Sequence, residues 1–460
     1  MNILPSAGIT FKQLERIFFE IGCDVARTLM EQYLLKADEI LEQTRDKASL
    51  RHKGSRTTSI KTLMGEVQMK RTLYRRVNEA GATEHIFLLD KALGLDTIGT
   101  ISPNLVEKIL DYSCEMSYRE VSEAVTGLTN QSISHQGVWN VVQAVGERQA
   151  EEEKRLVRAY ENDELCGERE VPVLFEEADG LWLSMQRESR KGSSKGKSEL
   201  KIGVVYEGWE QRYPCSKEYK TIEKTAFAGY MKPGDFKALR DAVVAEKYNT
   251  DEIQYRVLNG DGAPWIVNGH DTEDSLFQLD PYHLSKSVIR NVYDKNSRRH
   301  IMRWLKEGQF EKVFRKLEEL KYECGGLESE VKKLTALEVY IKSNKGSIVP
   351  YRERAGIKLP SPPEGVEYRN LGTMERNVNI FAKRMKGGKS WSIQGASNLS
   401  KIIALKMGKN FNDRVAFLVS GKLSERLTER FEEAIRTTEA FAEKAVRKSV
   451  YPMRRGEIPF

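Results

Sequence analysis

Three acidic residues stand in settings that suggest chemistry. Asp179 lies in Glu176-Glu177-Ala178-Asp179-Gly180, within an otherwise apolar run where an unpaired carboxylate is costly to bury. Asp261 lies in Asn259-Gly260-Asp261-Gly262-Ala263, where flanking glycines let the chain turn sharply and present the carboxylate. Glu375 opens an expected helix in Gly372-Thr373-Met374-Glu375-Arg376-Asn377. Each has an ordinary explanation on its own, as a compensated buried acid, a turn aspartate, or a glutamate favoured by the helix dipole. Together they form a set of hard oxygen donors suited to Mg²⁺ or Mn²⁺, and no Cys/His cluster favours zinc. Two such ions can serve both ends of an in-line phosphoryl displacement. The expectation is that Asp179 bridges two ions, Asp261 binds one and Glu375 the other. Strand alternation puts Glu177 on the face of Asp179, as a further ligand or a supporting group. His283, three residues after Asp280 in Asp280-Pro281-Tyr282-His283, is expected to orient a scissile phosphate or a water; its alternative is a structural histidine.

These residues need a scaffold that brings distant parts of the chain together. Residues 171–185 read as a strand, a Gly, Ser and Lys rich turn follows over 186–198, and residues 200–209 read as an antiparallel partner. A third strand is expected over 219–228, a helix over 233–246 with Pro233 in its first turn, and a fourth strand over 253–258. Residues 284–342 read as helical and Pro360-Ser361-Pro362-Pro363 as extended. Helices are expected again over 373–386 and 423–448.

A carboxylate on the first strand, one at the end of the fourth and a glutamate on a later helix resemble the acid order of RNase H-like enzymes. The Asp280 to His283 spacing resembles the Mutator-like group of DDE transposases. The Ala-Asp-Gly, Gly-Asp-Gly-Ala and Met-Glu-Arg-Asn contexts, with Lys389-Ser390-Trp391-Ser392 behind them, resemble bacterial insertion-sequence transposases of the ISL-re type over nearly the whole chain. That resemblance implies a mixed α/β RNase H-like catalytic core interrupted by a helical insertion and preceded by a mainly helical DNA-binding region. It further implies cleavage at the ends of an element, joining to target DNA, and a homodimer or higher homo-oligomer on double-stranded DNA carrying terminal inverted repeats. One departure is the acid Glu177 directly after Glu176, which unsettles the split of roles between Glu177 and Asp179.

Ahead of this core, residues 10–48 read as one amphipathic helix suited to packing or dimerisation. Residues 57–77 read as a hairpin around Gly65, its second strand made basic by Arg71, Arg75 and Arg76. Ser117 and Glu120 form a capping box, and a turn over 127–132 leads to a helix beginning at Ser134, His135 and Gln136. The pair resembles a helix-turn-helix that would present those three residues to DNA. Lys286, Arg290, Lys383, Arg384 and Lys386 are the further expected phosphate contacts. Trp304 and Trp391 are expected to pack rather than stack on bases. The expected segments are 1–100, 101–165, 166–283, 284–370 and 371–460.

The 460 residues exceed one ordinary core, and 40% hydrophobic content argues against disorder. Lysine and arginine total 74 against 67 acids, a formal charge of +7 that does not itself indicate a polyanionic partner. Local runs matter more, at 191–201, 286–306, 383–389 and near Arg454 and Arg455. Five scattered cysteines fit a reducing cytoplasm, and neither a secretory pattern nor a membrane-length apolar run is expected. Competing readings are a non-enzymatic DNA-binding regulator, an RNase H-like nuclease without strand transfer, and a glycosidase with paired carboxylates. The last leaves the basic helices unexplained.

Overall fold

The computed structural model describes residues 9–78, 81–95, 100–186, 188–191, 196–267, 275–325 and 327–419. The expected helix over 423–448 and the basic pair Arg454 and Arg455 lie outside them. The described chain divides into two compact units, one formed by residues up to Val145 together with those from Asn412, the other by Gly146–Phe411.

In the first unit, α1 (Phe11–Thr44) starts at a capping box in which Thr10 and Gln13 satisfy each other's backbone N–H groups. Strands β1 (Arg51–Thr62), β2 (Gly65–Val77) and β3 (Thr83–Phe87) form an antiparallel sheet in that order, followed by α2 (Leu88–Leu93). Leu34, Ala37 and Leu41 of α1 pack with Ile60, Val67, Met69 and Leu89. Within this apolar layer Asp38 accepts bonds from the Thr72 N–H (3.2 Å) and hydroxyl (2.7 Å), so the buried carboxylate fixes α1 against β2. The expected basic strand is largely neutralised, because Arg71 pairs with Asp90 and Arg76 with Glu84. Helices α3 (Pro103–Ser113), α4 (Tyr118–Leu128) and α5 (His135–Glu161) follow. The capping box of Ser117 and Glu120 forms as expected. Ser134 Oγ accepts from Gly137 N at 3.1 Å and so supports the start of α5, while His135 and Gln136 are exposed.

The second unit is built on a mixed sheet. Its strands are β4 (Val173–Met185), after which comes the short α6 (Glu188–Lys191), then β5 (Lys197–Tyr206) and a small hairpin of β6 (Trp209–Gln211) and β7 (Tyr219–Thr221). Next are β8 (Thr225–Gly229), α7 (Pro233–Lys247), β9 (Tyr255–Gly260), α8 (Pro264–Val267) and β10 (Ser275–Leu279). The sheet order is β10-β9-β4-β5-β8, with β4, β5 and β8 antiparallel in succession and β9 and β10 parallel to β4. The third strand expected over 219–228 is in fact two. The chain breaks near Glu223, whose φ is +51°, and its halves pair with different partners. The strand β10 was not expected.

Four helices follow in place of the expected continuous helical stretch: α9 (Pro281–Asn291), α10 (Lys295–Lys306), α11 (Phe310–Glu323) and α12 (Glu328–Ser343), then the short α13 (Lys345–Ile348). They share a core of Leu284, Val288, Ile301, Leu305, Leu317 and Leu337. Gln278 at the end of β10 joins the far end of this insertion to the sheet. Its amide donates to Ser347 O (2.9 Å) and accepts from Tyr351 N (2.8 Å). The chain then returns through α14 (Met374–Met385), β11 (Ser390–Trp391) and α15 (Ile393–Met407), after which α16 (Phe411–Val419) belongs to the first unit from its second residue on. Residues 360–363 carry no helix or strand. Among the described residues no helix is long and apolar enough to cross a membrane.

Candidate catalytic centre

Strand β4 buries three acids, and its alternation sends them to different tasks. Glu176 faces α7, where it pairs with Arg240 (3.1 Å) and Arg256 (2.5 Å); Asp241 also binds Arg256 (2.8 Å). Glu177 faces the opposite side and is saturated. It accepts from Tyr206 Oη (2.6 Å), Asn259 Nδ2 (2.8 Å), Thr373 N (3.2 Å), Thr373 Oγ1 (2.5 Å) and Met374 N (3.0 Å). The last three belong to the start of α14, whose free N–H groups attract a carboxylate. Glu177 therefore pins α14 to the sheet, and its oxygens are occupied.

Asp179 lies two residues further on the same face and is buried. Its Oδ1 accepts from Gly180 N at 2.7 Å, and its Oδ2 is 3.6 Å from His283 Nε2. The parallel register pairs Glu177 with Asn259, so the next step on that face sets Asp179 beside Asp261, where β9 ends. Asp261 Oδ1 accepts from Ala263 N (2.9 Å), and its carbonyl accepts from Tyr340 Oη of α12 (3.3 Å). The expected sharp turn is real at Gly262, whose φ of +90° few side-chain-bearing residues adopt. A Cβ there would also sit 3.1 Å from Asn344 Oδ1. On β10, Leu279 pairs with Gly260, and Asp280 follows as the N-cap of α9, accepting from Tyr282 N (2.8 Å). Asp179 in the middle of β4 thus lies level with Asp261 and Asp280, which directly follow the ends of the neighbouring strands β9 and β10, with His283 in the first turn of the helix that follows.

The electrostatics agree with this placement. The Asp179 carboxylate raises the His283 imidazole above its usual range, with Asp280 and Asp261 adding to the effect. Burial pushes the Asp280 carboxyl up, assisted by the charges of Glu177 and Asp179. The sequence reading missed Glu199 on β5. Its carboxyl lies against Gly180, where a Cβ would meet Oε1 at 2.1 Å, and is raised chiefly by burial, with Asp261 and Asp179 contributing. Its register across from Trp182, which brings it to the Asp179 end of β4, depends on strand pairing and left no local signal in the sequence.

Glu375 occupies the first turn of α14 and is exposed. Among the described residues, no three His, Cys, Asp or Glu side chains converge closely enough to hold a metal ion, so Glu375 is near the acidic row in the fold without being gathered into it. The donor chemistry itself suits a hard cation. Asp179 and Asp261 each tie one oxygen to a backbone N–H, and the buried Asn259 Oδ1, two residues before Asp261, has no hydrogen-bond partner.

Of the expected phosphate contacts, Lys286, Arg290, Lys383 and Lys386 are exposed. Arg384 is not available: it is 2% exposed, and its guanidinium lies over the Trp391 ring, 5.4 Å from the centroid. Arg384 lies on the buried side of α14 with Met385, so the expected run of outward basic residues is broken at this position. Trp391 donates Nε1 to Met385 O (2.8 Å), and Trp304 packs against the insertion core, both in line with the packing expected for them.

Similar proteins occur in two bacteria. A UPF0236 protein of Caldanaerobacter subterraneus subsp. tengcongensis, with a name joining four labels of one series, is 25% identical over 406 residues, covering 87% of this chain and 78% of its own. Another from the same organism, with a name joining eleven such labels, is 26% identical over 417 residues, covering 87% and 79%. A UPF0236 protein of Streptococcus gallolyticus, named for the vanSb 3′ region, is 27% identical over 354 residues, covering 73% and 70%. The model of the Uncharacterised protein family (UPF0236) matches residues 4–448, and the chain belongs to that family.

Proposed function

We propose that the protein is a DNA transposase of the insertion-sequence type, cleaving the ends of its element and joining them to target DNA. The observation that carries this reading is the row of Asp179 and Asp261 on adjacent parallel strands, with His283 Nε2 3.6 Å from Asp179 and α14 pinned alongside by Glu177. The sheet order and directions also suit an RNase H-like core, in which three antiparallel strands are extended on one side by two parallel ones. The joined labels in the relatives' names suit a gene present in several copies, as a mobile element would be.

Asp179, Asp261 and Glu375 would hold Mg²⁺ or Mn²⁺, which when bound supplies an activated water and stabilises the leaving oxygen. Water attacks phosphorus at the element end, the P–O3′ bond breaks, and the departing 3′-oxygen takes up a proton. That 3′-hydroxyl then attacks a target phosphodiester, breaking its P–O3′ bond and forming the new one. His283, carrying a raised affinity for its proton, would donate to a phosphate oxygen. Lys286, Arg290, Lys383 and Lys386 would neutralise backbone phosphates, and His135 and Gln136 would reach DNA from the start of α5. The active form would be a homodimer or larger homo-oligomer on DNA in the cytoplasm.

The test is to incubate the full chain with a labelled duplex spanning the DNA that borders its gene, with and without Mn²⁺. Asp261→Asn serves as the comparison. Cleavage at the element boundary that requires the ion and falls more than about a hundredfold in the variant is expected. Equal binding by both proteins without cleavage would overturn the reading in favour of a DNA-binding regulator.

A further inference from the structure

We infer that the exposed face of α9 is a stacking track for unpaired nucleotides of the DNA strand that enters the acidic row. The inference rests on the transposase reading for the strand's destination, and on the helix itself for its chemistry. α9 buries Leu284 and Val288 and leaves Tyr282, Lys286, Ile289 and Arg290 outward, with Tyr293 just beyond its end. At 100° per residue the four helical residues fall within about 100° of one another, with His283 at the edge of the same stripe, and Tyr293 follows the extended C-cap Val292. Tyr282 is 42% exposed, Ile289 53% and Tyr293 54%, an unusual concentration of apolar surface on one short helix. Lys286 Nζ stands 5.3 Å from the Tyr282 ring centroid. Tyr293 donates its hydroxyl to Glu323 Oε2 (3.2 Å), which holds the ring in place.

Aromatic faces interleaved with cations match what a single strand offers, alternating flat bases and phosphates. A paired duplex presents phosphates but keeps its base faces stacked internally. Among the described residues, Lys286 and Arg290 have no acidic partner, so their charges are free for phosphates. The helical rise from Tyr282 to Asn291 is roughly 14 Å and the extended Val292 carries the chain on to Tyr293, enough for about three extended nucleotides. The stripe begins beside His283, so the strand it holds runs directly to Asp179.

The experiment measures binding of a fluorescein-labelled single strand of about 12 nucleotides, and of the matching duplex, in EDTA so that no cleavage intervenes. The Tyr282→Ala/Tyr293→Ala pair is expected to weaken single-strand binding by about tenfold or more, with duplex binding changed less than about threefold. The Tyr282→Phe/Tyr293→Phe pair should retain single-strand binding, and Tyr213→Ala, an exposed tyrosine elsewhere, should leave both unchanged. Equal losses on both DNAs, no loss, or a phenylalanine pair as weak as the alanine pair would overturn the track. So would an alanine pair that lowers the oligomer mass in light scattering without changing strand binding, which would make the face a protein interface. Because binding is read without metal, the track can stand if the cleavage assay fails, and it can fall while cleavage persists.

Discussion

Glu177 shows how one buried carboxylate can determine where a helix lies. Five donors converge on it, three of them from residues 373 and 374, so removing it leaves several buried groups unpaired at once. Glu177→Ala is expected to destabilise the protein by about 3 kcal/mol or more, read as a shift in the urea unfolding midpoint. A variant of normal stability that loses only metal affinity would show instead that Glu177 is a ligand. The sequence could not separate these roles. Alternation places Glu177 and Asp179 on one face, but the groups that saturate Glu177 lie 29 to 197 residues away and leave no local signature. Asp261 was more legible because its signal is local: a carboxylate between glycines at a strand end, one of which takes a positive φ. For the same reason Gly262→Ala is expected to cost about 1–3 kcal/mol and to lower activity with it, by twisting the turn that presents Asp261. Thermal unfolding and cleavage measured on the same preparation check both effects.

Elements were readable wherever a single stretch defined them, as with the capped start of α4 and the long strand β4. They were misread where tertiary pairing decides. Residues 219–228 have the composition of one strand, yet Glu223 turns the chain so that β7 and β8 join different partners. Arg384 reads as a surface cation by type and is covered in the fold. The Glu223 corner is itself held by Lys409 and by Lys247 (3.0 Å), which together lower its carboxyl to about 2. A folded-state value below the unfolded one, about 4.3, gives stability that is full above that unfolded value and is lost as pH falls toward 2. Glu223→Gln is therefore expected to lower stability at pH 6 and to flatten its decline between pH 5 and 2, as measured by urea midpoints across that range.

For the whole molecule, a formal charge of +7 carries little information about a polyanion, and the exposed positions of particular cations carry more. Lys286, Arg290, Lys383 and Lys386 all belong to the unit that holds the acidic row. Replacing Lys286 and Arg290 together by alanine is expected to reduce the salt dependence of DNA binding by about two counterions, read as the slope of log affinity against log salt concentration. An unchanged slope would remove both residues from the phosphate path.

The distance in sequence between Glu177 and its partners also has a consequence in time. As a ribosome extends the chain, β4 emerges long before residues 373 and 374, and at about 5–20 residues per second those 196 residues take about 10–40 s to make. Throughout that interval the carboxylate that fixes α14 has none of its α14 donors, and Glu375 has not yet been synthesised. The attachment of α14 to the sheet therefore forms late, onto strands β4, β5 and β9 that were all made before it.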